Sequence, residues 1–262
     1  MTARRRFRLV VSSDWHGDAT TAGFPRFEDV SAAVEETFDA ATGMENKADL
    51  YVFLGDLADP DVPGAWAAAE LACRMAARLA AVDVPSIWVA GNHDALEDGS
   101  GHGTLDPLRG WAHAYADLGR DARWSHERVR VCTRPETIRL LGFDVVALPY
   151  CAQSHEYDPQ AFVRSLPEWV GAQGRRVLFL GHLNLDGIVE GSESFEMPRG
   201  RSTYWPTAEI LARFGDRALM LGGHYHQRQV HRGVQIVGSL ERLSFADGTS
   251  APGYLVVEVE EG

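Results

Sequence analysis

A chain of 262 residues, 45% hydrophobic and 24% charged, is balanced like an ordinary soluble globular protein and can bury a large core. Its net charge of −12 repels phosphate backbones, so any hold on nucleic acid must come from a local basic patch, metal ions or a partner. Three scattered cysteines (Cys73, Cys132, Cys151) exclude a disulfide framework and a cysteine-rich zinc site, and point to the cytoplasm.

The chain opens with Arg4-Arg5-Arg6, but the apolar run Phe7 to Val11 is too short for a signal peptide, and no later run is long enough to span a membrane. Phe7 to Ser13 reads as a strand delivering Asp14-Trp15-His16-Gly17. A helix follows over 27–42, with Val30, Val34, Phe38 and Ala41 at helical spacing. Asp49 to Leu54 is a second strand and delivers Gly55-Asp56. An alanine-rich helix spans about Ala65 to Val82. Ile87 to Ala90 is a third strand, stopping at Gly91-Asn92-His93-Asp94. This alternation predicts parallel strands joined by crossover helices.

After a glycine-rich loop at 97–106, a helix is expected from Pro107 to Leu118. Short β-like runs follow at 128–132, 137–141 and 144–148, with Gly142 and Phe143 as a hairpin turn. Asp158-Pro159 opens a helix ending before Gly171. Arg176 to Leu180 is a strand delivering Gly181-His182, and 186–203 reads as a long polar loop. A helix over 206–214 stops at Gly215. Ala218 to Leu221 then delivers Gly222-Gly223-His224-Tyr225-His226, and strands at 227–232, 234–237 and 254–260 close the chain. No repeat or linker interrupts it, which predicts one domain spanning 1–262.

Five strand ends thus present two carboxylates, an amide and several imidazoles, with no thiolate. Such a mixed nitrogen and oxygen set suits manganese, iron or zinc. Asp14 and His16 stand two apart, on one side of an extended segment, and His224 and His226 repeat that spacing. One metal would rarely need seven candidate ligands, whereas two metals sharing a carboxylate would. Glycines beside the clusters let backbones approach closely.

In order and spacing, Asp14-x-His16, Gly55-Asp56, Gly91-Asn92-His93-Asp94, Gly181-His182 and Gly223-His224-x-His226 resemble the calcineurin-like metallophosphoesterase superfamily. The resemblance implies an α/β fold, a four-layer αββα sandwich of two mixed β-sheets flanked by helices. It places Asp14, His16 and His226 on one divalent metal and Asn92, His182 and His224 on the other, with Asp56 bridging. Manganese is the first expectation for both. It makes His93 the acid that protonates the leaving oxygen after a hydroxide between the metals attacks phosphorus. The tail from Val237 to Phe245 resembles the segment that closes the nuclease domain of SbcD-type double-strand-break repair exonucleases. That branch implies a DNA exo- or endonuclease working in repair or recombination with an SMC-like ATPase partner. This chain is expected to lack the branch's capping domain, and a homodimer is a further expectation. The other reading is a small-molecule or nucleotide phosphatase or phosphodiesterase with the same site.

Several residues stay open at this level. His102 either reaches a substrate phosphate or belongs to a loop alone. Trp15 and Tyr225 either stack on a base or pack the site wall. Arg199 and Arg201 read as solvated, and His113, His126, His155 and His231 as surface or core fillers.

Overall fold

The computed structural model describes residues 5–96, 102–117, 128–150, 158–188, 204–247 and 251–260. In the first sheet, β1 (Arg6–Ser12), β4 (Leu50–Leu54), β5 (Ser86–Val89) and β6 (Val129–Cys132) run parallel, in that order. The last strand, β13 (Leu255–Glu260), pairs antiparallel along the outer edge of β1. The second sheet has the order β11 (Gln229–His231), β12 (Val234–Ile236), β10 (Ala218–Gly222), β9 (Val177–Gly181), β8 (Phe143–Leu148), β7 (Glu136–Leu140). Its four inner strands are parallel, and both edge strands are antiparallel. A small ribbon, β2 (Thr20–Thr21) and β3 (Phe24–Pro25), escapes the sequence reading.

Both sheets are covered on both faces, which is why their strands are continuous apolar runs. Successive side chains go to opposite cores. Leu9, Val11, Val52, Leu54, Ile87 and Val89 meet Val145, Ala147, Leu178 and Leu180 between the sheets. The alternate residues Val10, Tyr51, Phe53 and Trp88 face α1 (Phe27–Thr42), α2 (Ala65–Ala81) and α3 (Asp106–Asp117). On the far side, Val146, Val177 and Phe179 face α4 (Pro159–Arg164) and α5 (Thr207–Phe214). The result is the four-layer sandwich, helices outside and two mixed sheets inside.

Of the boundaries that differ from expectation, three have a plain physical cause. The β7–β8 turn is Leu141-Gly142, both with positive φ (54° and 85°), and Phe143 already pairs with Leu140 in the ladder. That is the turn geometry whose twist matches a right-handed hairpin. The helix after Asp158 ends at Arg164 rather than before Gly171, because Pro167 disfavours helical backbone in the residue before it. Pro107 lies inside the first turn of α3, which starts one residue earlier. Cys73 and Cys132 are free thiols, and burial pushes the Cys132 thiol well above its ordinary pKa. Cys151, His126, His155, Arg199 and Arg201 lie outside the described residues, as do 97–101 and 189–203 of the two expected loops. No helix among the described residues is long and apolar enough to cross a membrane.

Candidate metal centre

The carboxyl ends of β1, β4, β5, β9 and β10 converge, and the backbone leaving them is locked together. Asp14 N–H donates to Gly55 O (2.8 Å), His16 N–H to Asp56 O (3.1 Å) and Gly223 N–H to Gly181 O (3.0 Å). Four residues here hold left-handed backbone without being glycine: Asp14 (φ 51°), His16 (44°), Asp56 (60°) and His224 (83°). Such strain, on the order of 1–3 kcal/mol each, persists where the surroundings over-determine it and clusters at functional sites. Gly91 and Gly223 permit close approach here, since a side-chain carbon would lie 2.1 Å from Asp56 Oδ1 at the first and 2.1 Å from Ser13 Oγ at the second.

Asp94, quoted in the sequence motif without a role, is the clamp that holds this geometry. Its buried carboxylate accepts from Asp56 N–H (2.9 Å), Gly91 N–H (2.7 Å), Leu57 N–H (2.8 Å) and Thr104 Oγ1 (2.8 Å). Burial and the neighbouring Asp56 charge raise its pKa.

The side chains assemble into two groups of donors. In one, ligand atoms of Asp14, His16 and His226 lie within 4.8 Å of one another, and in the other those of Asp56, His182 and His224 do the same. Asn92 belongs with the second group, its Oδ1 lying 3.0 Å from His182 Nε2 and 2.9 Å from His224 Nδ1. Asp56 Oδ2 stands between the groups, 3.2 Å from His182 Nε2 and 3.6 Å from His16 Nε2. All seven sequence-derived ligand candidates are therefore in one place.

Proton placement shows what this donor set fits. His182 Nδ1 donates to Leu54 O at 2.6 Å, which turns Nε2 toward Asp56 and Asn92. Burial alone would lower the His182 pKa, but the Asp56 carboxylate overrides it and raises it to about 9. His224 goes the other way: burial, then repulsion from His182, lowers it to about 3. A neutral His224 has one ring proton for two oxygens, Asn184 Oδ1 at Nε2 and Asn92 Oδ1 at Nδ1, both at 2.9 Å, so one of its nitrogens faces an oxygen without a proton to share. His16 and His226 likewise point Nε2 atoms at each other across 3.2 Å, and burial holds His16 well below its ordinary pKa. So many imidazole nitrogens and oxygens converging at hydrogen-bond distance form a donor set that suits cations. Burial lifts Asp14 to about 6, whereas the surrounding imidazoles, His182 first, outweigh burial and hold Asp56 well below the carboxylate range.

In the metal-free protein the extra His182 proton stands where a cation would. Its folded pKa of about 9 exceeds the ordinary 6.5, so its stabilisation is complete below pH 6.5 and is lost as pH rises through about 9. The melting temperature of metal-free protein should fall across that window, and saturating manganese should abolish the fall, because the cation replaces the proton. A flat metal-free profile would remove His182 from this role.

His93 lies at the rim. Its side chain is 23% exposed, its ring meets His16 edge-on at 5.1 Å, and Nδ1 is 3.7 Å from Asp59 Oδ2. Its backbone N–H, not its ring, holds Asp56 Oδ1 at 2.9 Å. Trp15 and Tyr225 resolve as wall: both are buried, Trp15 against Phe38, Phe53 and Trp88, and Tyr225 accepting Leu185 N–H at 2.9 Å. His102 is exposed and pairs with Asp106 at 2.7 Å, apart from the donor groups. His231 reaches Asp186 O (2.9 Å), and His113 is exposed. Asn184, Asp59 and Asp247 were missed as site neighbours. A polar residue two after His182 and a carboxylate three after Asp56 were the available signals.

The pattern of the Calcineurin-like phosphoesterase family matches residues 7–228, a span that holds every candidate ligand. The chain belongs to the calcineurin-like phosphoesterase family. Among solved structures, this calcineurin-like phosphoesterase is similar to a dimetal phosphatase from Danio rerio, with 13% identity and a TM-score of 0.52, covering 98% of this chain and 96% of that one. It is also similar to TT1561 of Thermus thermophilus, at 15% identity, a TM-score of 0.45 and 90% coverage of each chain. At such identities the first likeness is one of fold alone. No curated protein matches the chain. Family membership makes this calcineurin-like phosphoesterase a metal-dependent phosphoester hydrolase, and its two donor groups are a candidate binuclear divalent-metal site.

Proposed function

We propose that the chain is a two-metal phosphodiesterase of the SbcD type that cuts DNA. Asp14, His16 and His226 would hold one cation, Asn92, His182 and His224 the other, and Asp56 both. Bound there, two cations would neutralise phosphate oxygens and lower the pKa of a water between them. His93, at the rim beside the first group, is placed to give a proton to the departing oxygen.

The observation that carries the nuclease reading is the course of the closing segment, 237–247. It leaves the second sheet with Val237 N–H on Gly222 O (2.9 Å) and passes the site with Ser239 N–H on His226 O (3.1 Å). Leu240 and Leu243 then enter the helix-side core of the first sheet. Thr21 Oγ1 (2.7 Å) and Arg26 Nη1 (2.8 Å) donate to its carbonyls at Leu243 and Arg242. The sequence resemblance to the nuclease branch thus falls on a segment built into the metal centre.

The second reading, a phosphatase or nucleotide phosphodiesterase, draws support from the net charge of −12 and from the half-buried Asp59 carboxylate at the rim. On the nuclease reading that charge calls for help in gripping DNA, from an SMC-like ATPase or from a second copy of the chain. The test compares single-stranded DNA, duplex DNA, a chromogenic phosphodiester and a phosphomonoester across salt concentrations, with manganese and then magnesium. Weak, salt-sensitive DNA cleavage with clear diester hydrolysis is expected, better in manganese because the donor set is rich in imidazole. Fast monoester hydrolysis with no DNA cleavage at low salt would replace this reading with the second.

A further inference from the structure

The buried carboxylate of Asp247 has two differently occupied oxygens. Oδ2 accepts the backbone N–H groups of Leu243 (2.9 Å) and Ser244 (2.7 Å) and so closes a turn. Oδ1 lies 3.4 Å from Nδ1 of His226, within ion-pair range. The other ring nitrogen of His226, Nε2, points into the Asp14–His16–His226 group, 3.2 Å from His16 Nε2. A neutral imidazole can offer a lone pair through one nitrogen only if its proton sits on the other. A carboxylate facing Nδ1 holds the proton there and keeps Nε2 bare. His224, by contrast, has the neutral amide of Asn184 behind it, and His182 has the Leu54 carbonyl.

We propose that Asp247 is a positioning residue of the metal centre: it fixes the tautomer of His226 and thereby sets the metal affinity of the Asp14–His16–His226 group. The proposal rests on the two-metal reading above. It also distinguishes His226 from the imidazoles of the second group, since a full negative charge backs it and neutral dipoles back His182 and His224.

The two jobs of Asp247 can be pulled apart. In Asp247→Asn, the amide oxygen can still cap Leu243 and Ser244, which turns the NH₂ toward His226 Nδ1. An NH₂ can only donate, so the ring proton is driven onto Nε2, the wrong atom for a ligand. Asp247→Ala loses the cap but leaves the ring able to take either tautomer. Metal-free protein is titrated with Mn(II) by calorimetry and with Co(II) by visible absorption, and its melting temperature is measured. Wild type is expected to take up two ions. Asp247→Asn is expected to bind one of them roughly 10- to 100-fold more weakly, with a changed Co(II) spectrum for that ion and the other ion unaffected. Asp247→Ala is expected to lose less affinity than Asp247→Asn but more thermal stability. Wild-type affinities in Asp247→Asn would overturn the proposal, as would affinity losses that simply follow the stability losses. If wild type takes up fewer than two ions, the two-metal reading itself fails, and this proposal with it.

Discussion

Asp56→Asn is expected to cost roughly a hundredfold or more in turnover and to weaken both metals together. Partners of ligands already cost 10- to 100-fold, so a shared ligand sits at or beyond the upper end. The expectation follows from position: Asp56 Oδ2 faces His16 on one side and His182 on the other, while Oδ1 is held by the backbone of His93. Asparagine keeps the shape but removes the charge, and its NH₂ would point at imidazole nitrogens without being able to ligate. The metal-free site changes as well, because the raised His182 pKa depends on that charge. Asp14→Asn is the control. It belongs to one group only and should weaken one ion while leaving the second in place. Metal titration of both variants decides the matter, and loss of a single ion in Asp56→Asn would show that the carboxylate is not shared.

His93→Ala is expected to keep both metals and lose roughly 10²- to 10⁴-fold in turnover, the usual worth of a general acid. The hydrogen bond from residue 93 to Asp56 is made by the backbone, so truncating the ring leaves that contact intact. What disappears is an imidazole at the rim, backed by Asp59 and stacked edge-on against His16. The loss should depend on the leaving group. A nitrophenolate departs without a proton, whereas the alkoxide of a DNA strand needs one, so the defect should be much larger on DNA than on a chromogenic diester. If the ratio is the same for both, His93 is not the acid. If a metal is lost while turnover per bound ion is unchanged, its role is structural.

The metal-site candidates were legible because each sits where an apolar run stops, and the sandwich places those stopping points along one edge. The same runs gave the strands: Leu9-Val10-Val11 and Leu50 to Leu54 are apolar throughout because each residue meets one core or the other. The hairpins were harder. β2–β3, β7–β8 and β11–β12 turn through Ala22-Gly23, Leu141-Gly142 and Arg232-Gly233, each pair with positive φ. Asn-Gly or Asp-Gly would have announced such turns, but Ala, Leu and Arg carry no such signal. Asp94 and Asp247 were illegible for another reason. Both act by accepting backbone N–H groups from segments distant in sequence or freshly turned, and nothing in residue type distinguishes that from a solvated carboxylate. For the aromatics beside the ligands, Trp15 and Tyr225, residue type left stacking on a base and packing of the wall equally open, and burial decides for packing.

The most direct test of a binuclear centre built on Asp56 is the electron paramagnetic resonance spectrum of the protein loaded with two Mn(II) ions. Two ions sharing that carboxylate must be close enough to couple magnetically. The expected spectrum is that of an exchange-coupled pair, collapsing to isolated ions in Asp56→Asn. A spectrum of two magnetically independent Mn(II) ions at full loading of the wild-type protein would contradict the account.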